Sequence, residues 1–198
     1  MAGQLSIFDE EPRLPEGFRY APDVLTAQQE VAALEQIRRL PFREFEFHGY
    51  TGKRRVVSFG WHYDFGAREL RKANDMPQFL VELRESAAAF AGMPASQLQH
   101  VLVTEYGAGA GIGWHRDKDV FGEVVRLSLL GSCVFRLRRA QGDGWERVNL
   151  TAAPRSAYLL SGPARTEWEH SIPGVDALRY SVTFRSLNTT GAPMACQP

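Results

Sequence analysis

His115 and Asp117 stand two residues apart in the run WHRDKD, and His170 lies further on in EWEHSIPG. They read as His-x-Asp, a gap of 53 positions (170 − 117), and a second His. Two imidazoles and one carboxylate can occupy one face of a divalent iron and leave the opposite positions open. Open positions admit O2 and a cosubstrate together, so the chemistry this set could do is oxygenation. His-x-Asp sets both ligands on the same side of a strand end, because side chains repeat every two residues there. A surface loop with one His and one Asp would read the same way, so the pair takes its meaning from the residues downstream.

Downstream of His170 lies RYSVTFRSL. Arg179 and Arg185 are six apart on an expected strand and therefore share a face. Guanidinium forks match carboxylates with two parallel hydrogen bonds. Two inward arginines beside a metal are costly unless an anion meets them. The dianion 2-oxoglutarate would do so, with its keto acid on iron and its far carboxylate on an arginine. The competing pattern is two solvated arginines on an outward face, with Tyr180, Val182 and Phe184 toward the core. The candidate ligand histidine just upstream favours the inward reading.

These groups need elements to position them. Thr26 and Gln29 form a capping box for a helix from Ala27 to about Leu40, with Val31, Leu34, Ile37 and Leu40 on one face. Asp75 can cap a second helix reaching about Ala91, striped by Phe79, Leu80, Leu83 and Ala87 and stopped by Gly92. From about residue 98 the pattern changes to short β runs at about 100–106, 124–130, 133–138, 146–150, 156–160 and 179–185. The segment 53–65 adds a hairpin or outer strand. Helices followed by six or more short strands predict an α+β fold. Its core is a double-stranded β-helix, or jelly roll, with the N-terminal helices packed on one sheet. A single domain is expected over 1–198, with an irregular lead-in at 1–17, a core at about 98–187 and a frayed tail at 188–198.

The runs TEYGAGAGIGWHRDKD, VVRLSLLGSCVFRLRR, EHSIPG and RYSVTFR, in that order, resemble the AlkB family of iron- and 2-oxoglutarate-dependent dioxygenases. The similarity covers about residues 100–187. It implies Fe(II) held by His115, Asp117 and His170, 2-oxoglutarate held by Arg179 and Arg185, and O2 as oxidant. The family commonly carries Asn-x-Tyr before the Gly-rich turn, with both side chains on the cosubstrate. Tyr106 matches, and Thr104 stands in place of Asn; its hydroxyl can replace one hydrogen bond and not two. Asp119 matches an acidic residue that, in base-directed members, accepts a hydrogen bond from an exocyclic amine. Trp114 is expected to pack beneath the site. Asp117→Ala is expected to end turnover with the fold largely intact, and Arg185→Ala to raise the demand for 2-oxoglutarate.

The family's outer lid varies most, and here it falls at about 42–66. Within KRRVVSFGWHYDF, Lys53, Arg54 and Arg55 could meet phosphates, and Trp61, His62 and Tyr63 could stack on an extruded base. An amphipathic outer strand with Val56, Phe59 and Trp61 buried fits the same residues. Arg136, Arg138 and Arg139 form a second basic group, either at the rim or on a solvated strand face.

The resemblance therefore implies oxidative removal of N-alkyl groups from nucleic-acid bases, of the DNA-repair type, with release of formaldehyde. The expected partner is alkylated nucleic acid, single-stranded or with a flipped base. An RNA base (in tRNA) or a protein side chain are alternative substrates of the same chemistry, and a barrel that binds nucleic acid without catalysis is a third option. The formal net charge is +0, from 23 basic and 23 acidic residues, so attraction to nucleic acid must be local. Cys133 and Cys196 offer no disulfide framework, which suits a reducing compartment. With no apolar run long enough for a bilayer and no secretory leader, a soluble cytoplasmic protein without membrane contact is expected. The sequence carries no signal of oligomeric state.

Overall fold

Strand residues 179–185 show why this chain folds as it does. Tyr180, Val182 and Phe184 alternate with Arg179, Ser181, Thr183 and Arg185, and all seven are buried. An antiparallel strand with one wet face would expose the polar set. Here the apolar face meets helices and the polar face lines the inside of a barrel.

The computed structural model describes residues 14–47, 50–64 and 69–188. Its strands are β1 (Phe18–Ala21), β2 (Arg43–Phe47), β3 (Tyr50–Asp64), β4 (Glu69–Lys72), β5 (Leu98–Tyr106), β6 (Ile112–His115), β7 (Phe121–Leu129), β8 (Cys133–Gln141), β9 (Gly144–Ala152), β10 (Ala157–Leu160), β11 (Glu169–Ile172) and β12 (Arg179–Leu187). Its helices are α1 (Ala27–Ile37), α2 (Gln78–Ala91) and the short α3 (Gly162–Thr166). One sheet runs β1-β10-β7-β12-β5-β3-β2, with β4 paired to β3, and the other runs β6-β11-β8-β9. All the strand pairs are antiparallel. This is the expected jelly roll, with α1 and α2 on the outside of the large sheet.

Two apolar clusters divide at that sheet. Ile37, Leu80, Val103, Leu127, Val182 and Phe184 belong to the layer between helices and sheet. Tyr106, Val124, Phe135, Leu137, Tyr158 and Ile172 belong to the barrel interior. Alternation along each strand thus sends one set of side chains to the helices and the other to the site.

The capping box forms as read: Gln29 N–H donates to the Thr26 hydroxyl, and Thr26 N–H donates to the Gln29 side-chain oxygen. Two expectations need correction. The first helix ends at Ile37, and Val31 is 58% exposed, because the face that meets the sheet is Ala33, Leu34 and Ile37. The second helix begins at Gln78 behind Pro77, since proline favours a helix entrance; Asp75 instead lies near Lys72, 3.5 Å away. Segment 53–65 is the strand expected there: β3 forms antiparallel pairs with β2 and β4, and its residues 54–60 also pair with β5. Gly92 stops α2 as expected, with φ of 70°. The short strands β1, β2, β4, β6 and β11 add to the β runs expected from the sequence. The lead-in before residue 14 and the tail after 188 lie outside the described residues.

Candidate metal centre and cosubstrate site

His115 ends β6 and His170 lies in β11, and the two are directly opposed in the antiparallel register. That pairing closes the gap of 53 positions and sets both imidazoles on one face, with ring centroids 4.2 Å apart. Asp117 comes just beyond the end of β6. One ligand atom from each of the three lies within 4.8 Å of the others.

The donor atoms fit a divalent cation. His115 Nδ1 lies 2.9 Å from the Gly113 carbonyl oxygen and donates to it in the neutral tautomer that leaves Nε2 free to ligate. His170 Nε2 and Asp117 Oδ2 are buried without a hydrogen-bond partner among the described residues and lie 3.6 Å apart. Buried polar atoms without partners are rare in folded proteins, and a bound ion is a standard reason for them. Burial lowers both histidines below the usual imidazole range, so both present neutral lone pairs. Burial alone would raise the Asp117 carboxyl. The Arg185 guanidinium outweighs it and holds Asp117 ionised, far below the usual carboxylate range. Two neutral imidazoles and one carboxylate are the facial set suited to Fe(II).

The two arginines of RYSVTFR take different partners. Arg185 grips Asp117 Oδ1 with Nε at 2.9 Å and Nη2 at 2.6 Å, and Nη1 reaches His100 Nδ1 at 3.3 Å. It therefore steadies the carboxylate ligand and leaves Oδ2 for the metal. Arg179 is fully buried, with Nη2 donating to Ser128 Oγ at 3.0 Å. Its Nε and Nη1 find no partner among the described residues, and neither does the neighbouring Ser181 Oγ. The Arg179 guanidinium lies 4.8 Å from the centroid of the Tyr106 ring. These orphaned donors fit the far carboxylate of a diacid whose other end sits on the metal. Thr104 is buried in the same layer, opposite Ser181.

The outer residues divide between faces. Arg54 is opposite Tyr106 on the barrel side, and its Nη1 donates to the Gly111 carbonyl at 3.3 Å. Arg55 points the other way and pairs with Glu105 at 2.7 Å. Trp61 is half-buried and Asp119 is exposed. The Tyr63, His62 and Lys53 side chains lie outside the described residues. Trp114 packs away from His115, between the Arg136 and Arg138 guanidiniums at 5.0 and 4.4 Å. Arg139 leaves that pair and meets Glu146 and Glu167.

Ser128 and Arg165 escaped the sequence reading. Arg165 donates to the carbonyls of Lys118, Phe121 and Gly122 and so fixes the loop that carries Asp117. Its partners lie 43–47 residues away, and no local pattern marks it. Gly111 also shapes the site. A Cβ there would meet the backbone at 2.6 Å from Ile172 O and 2.9 Å from Pro173 C. Gly111→Ala is expected to push β6 off β11, costing about 1–3 kcal/mol as overpacking does. Weaker metal affinity should accompany that loss, and metal titration together with urea unfolding measures both.

A jelly-roll barrel with two histidines and an aspartate converging on its inner face defines a non-haem iron oxygenase architecture. The description "2OG-Fe(II) oxygenase superfamily" belongs to a family model that matches residues 17–185. The chain belongs to that superfamily, and the curated relatives it is similar to are ALKBH proteins. It is 28% identical over 210 residues to the "Alkylated DNA repair protein ALKBH8 homolog" of Arabidopsis thaliana, covering 92% of this chain and 58% of that one. It is 31% identical over 113 residues to the "DNA oxidative demethylase ALKBH2" of Homo sapiens, covering 50% and 43%. This chain spans about half the length of the curated relatives it matches. The solved structure of OsALKBH1 superimposes with a TM-score of 0.66 at 17% identity, covering 86% of this chain and 96% of that one. A Pseudomonas putida prolyl-4-hydroxylase gives 0.56 at 15%, covering 87% and 93%. These two likenesses establish the fold. The family's set of Fe(II), 2-oxoglutarate and O2 matches the ligand atoms and the orphaned arginine described above.

Proposed function

We propose that this chain is a 2-oxoglutarate-dependent dioxygenase that removes N-alkyl groups from nucleic-acid bases by oxidation. The observation that carries the reading is the pair of orphaned sets in one barrel: Asp117 Oδ2 with His170 Nε2, and Arg179 Nε and Nη1. Fe(II) and 2-oxoglutarate held there would supply the oxidising chemistry that hydroxylates an alkyl carbon with O2. The chain's own residues hold and orient. His115, Asp117 and His170 give three donors on one side and leave the other side for cosubstrate and oxidant. Arg185 and the Gly113 carbonyl fix two of those donors. Arg179, Ser128, Ser181 and Tyr106 would receive the far carboxylate.

Nucleic acid is the favoured substrate because the curated relatives are named for DNA repair or RNA/DNA demethylation. Trp61 is the proposed stacking partner for an extruded base, and Asp119 the proposed acceptor for its exocyclic amine. A reducing, cytoplasmic setting belongs to the same proposal, since Cys133 is a buried free thiol. The test is turnover of N-methylated adenine and cytosine in single-stranded DNA and in RNA, with Fe(II), ascorbate and 2-oxoglutarate. Formaldehyde release from either polymer is expected, with affinity falling on added salt by a slope of about −0.7 per phosphate contacted. Succinate formation without base change on any oligonucleotide, or turnover of methylated peptides alone, would contradict the nucleic-acid assignment.

A further inference from the structure

Arg126 lies in β7 with 4% exposure, on the barrel side of the large sheet. Its Nε donates to Thr183 Oγ1 at 2.9 Å and its Nη1 to the Tyr158 hydroxyl at 2.8 Å. Both partners are neutral oxygens. No carboxylate among the described residues forms an ion pair with it, and Asp117, the acid whose charge acts on it, is gripped by Arg185. Burial opposes that charge, while the Tyr158 hydroxyl and the more distant Asp117 charge help to hold the guanidinium protonated; with no carboxylate in contact among the described residues, it stands open to an anion that arrives later.

The register shows where that anion would lie. Arg126 is opposite Thr183 and Tyr158, and Ser128, the partner of Arg179, is two residues further along the same face of β7. Two residues of strand advance the chain by about 6.6 Å, so the two guanidiniums are anchored about that far apart along β7. Val124, two residues the other way, is opposite Arg185, the partner of Asp117. Arg126 therefore occupies the row between the arginine that steadies the iron ligand and the arginine with orphaned donors. Its charge acts on His115, Asp117 and His170 at one end of the site and, with Arg179, on Tyr158 and Cys133 at the other.

We propose that Arg126 is a specificity-determining residue for the cosubstrate: its guanidinium supplies the middle positive charge of the barrel and selects a 2-oxo diacid over a 2-oxo monoacid. Thr104 offers a single short hydroxyl where the family commonly has Asn, and Arg126 restores polar contact with the anion from the opposite strand. The inference rests on the family's 2-oxoglutarate chemistry and is independent of which substrate is oxidised.

The test is binding, free of turnover. Protein loaded with Mn(II) is titrated with 2-oxoglutarate and, separately, with 2-oxobutyrate, which keeps the keto acid and lacks the far carboxylate. Wild-type binding of 2-oxoglutarate is the control for the family chemistry itself. Arg126→Gln is expected to bind 2-oxoglutarate at least fivefold more weakly, with 2-oxobutyrate and Mn(II) affinities changed less than threefold. Arg126→Lys, which keeps the charge, should recover part of the loss. A drop of less than fivefold for the Gln variant, or an equal drop for both keto acids or for the metal, overturns the proposal. Should the Gln variant not fold, Thr183→Val releases the guanidinium and keeps its charge. It too should weaken 2-oxoglutarate more than 2-oxobutyrate, and unchanged binding there overturns the proposal.

Discussion

Asp117→Ala should lose metal-dependent turnover by at least about 100-fold, the upper end of what loss of a mere supporting partner costs a metal site. It should also be markedly less stable. From the sequence, the fold is expected to survive this change largely intact. The structure corrects that expectation. Asp117 Oδ1 is the only carboxylate contact of Arg185 among the described residues, and both side chains are buried. Removing the acid leaves a buried guanidinium without its counter-ion, which costs about 3–5 kcal/mol. For a chain of this length that is a fall in Tm of roughly 6–20 °C. Asp117→Asn keeps one carbonyl oxygen for Arg185, so it should lose metal while recovering part of the stability. Metal analysis beside urea unfolding of the two variants separates the roles. An Ala variant as stable as wild type would mean that the Asp117–Arg185 pair contributes nothing to the fold.

Arg179→Gln should do the reverse. Its guanidinium is wholly buried, with two nitrogens lacking a partner among the described residues, so the protein without cosubstrate carries a poorly compensated charge there. Replacing it removes that desolvation cost, and stability without cosubstrate should hold or rise. Cosubstrate binding should suffer. Truncating one side of a buried charge pair costs about 2–5 kcal/mol, so the apparent KM for 2-oxoglutarate should climb at least about 30-fold. The rate at saturating cosubstrate should fall far less, since the metal ligands are untouched. Steady-state kinetics with varied 2-oxoglutarate checks the split. An unchanged KM would remove Arg179 from the cosubstrate site.

These opposite expectations show what the sequence carried and what it lacked. The ligand set was legible because its members are rare residue types in a fixed order, and because His115 and Asp117 are close in sequence. The polar face of β12 was legible because its alternation is strict. The capping box at Thr26 was legible because both partners are local. What failed to show was every feature that depends on pairing across the sheets. The division of labour between Arg179 and Arg185 is set by Ser128 and Asp117, 51 and 68 residues away. The splitting of Arg54 from Arg55 comes from β3 joining β5, so neighbours in sequence face a barrel and a helix layer respectively. Val31 fitted the apolar stripe of α1 and is exposed because the helix ends a turn early and meets the sheet on an adjacent face. Arg126 carried no local signal, since an arginine between valine and leucine reads like any outward strand residue.

Anaerobic absorption spectroscopy tests the central claim most directly. Protein reconstituted with one equivalent of Fe(II) is mixed with 2-oxoglutarate in the absence of O2, and the visible charge-transfer band of a chelated 2-oxo acid is recorded. A saturable band is expected in wild type, none in Asp117→Ala, and a band needing far more cosubstrate in Arg179→Gln. Bound Fe(II) that gives no band with 2-oxoglutarate, or a band undiminished in Asp117→Ala, would contradict the assignment of this barrel as an iron and 2-oxoglutarate site.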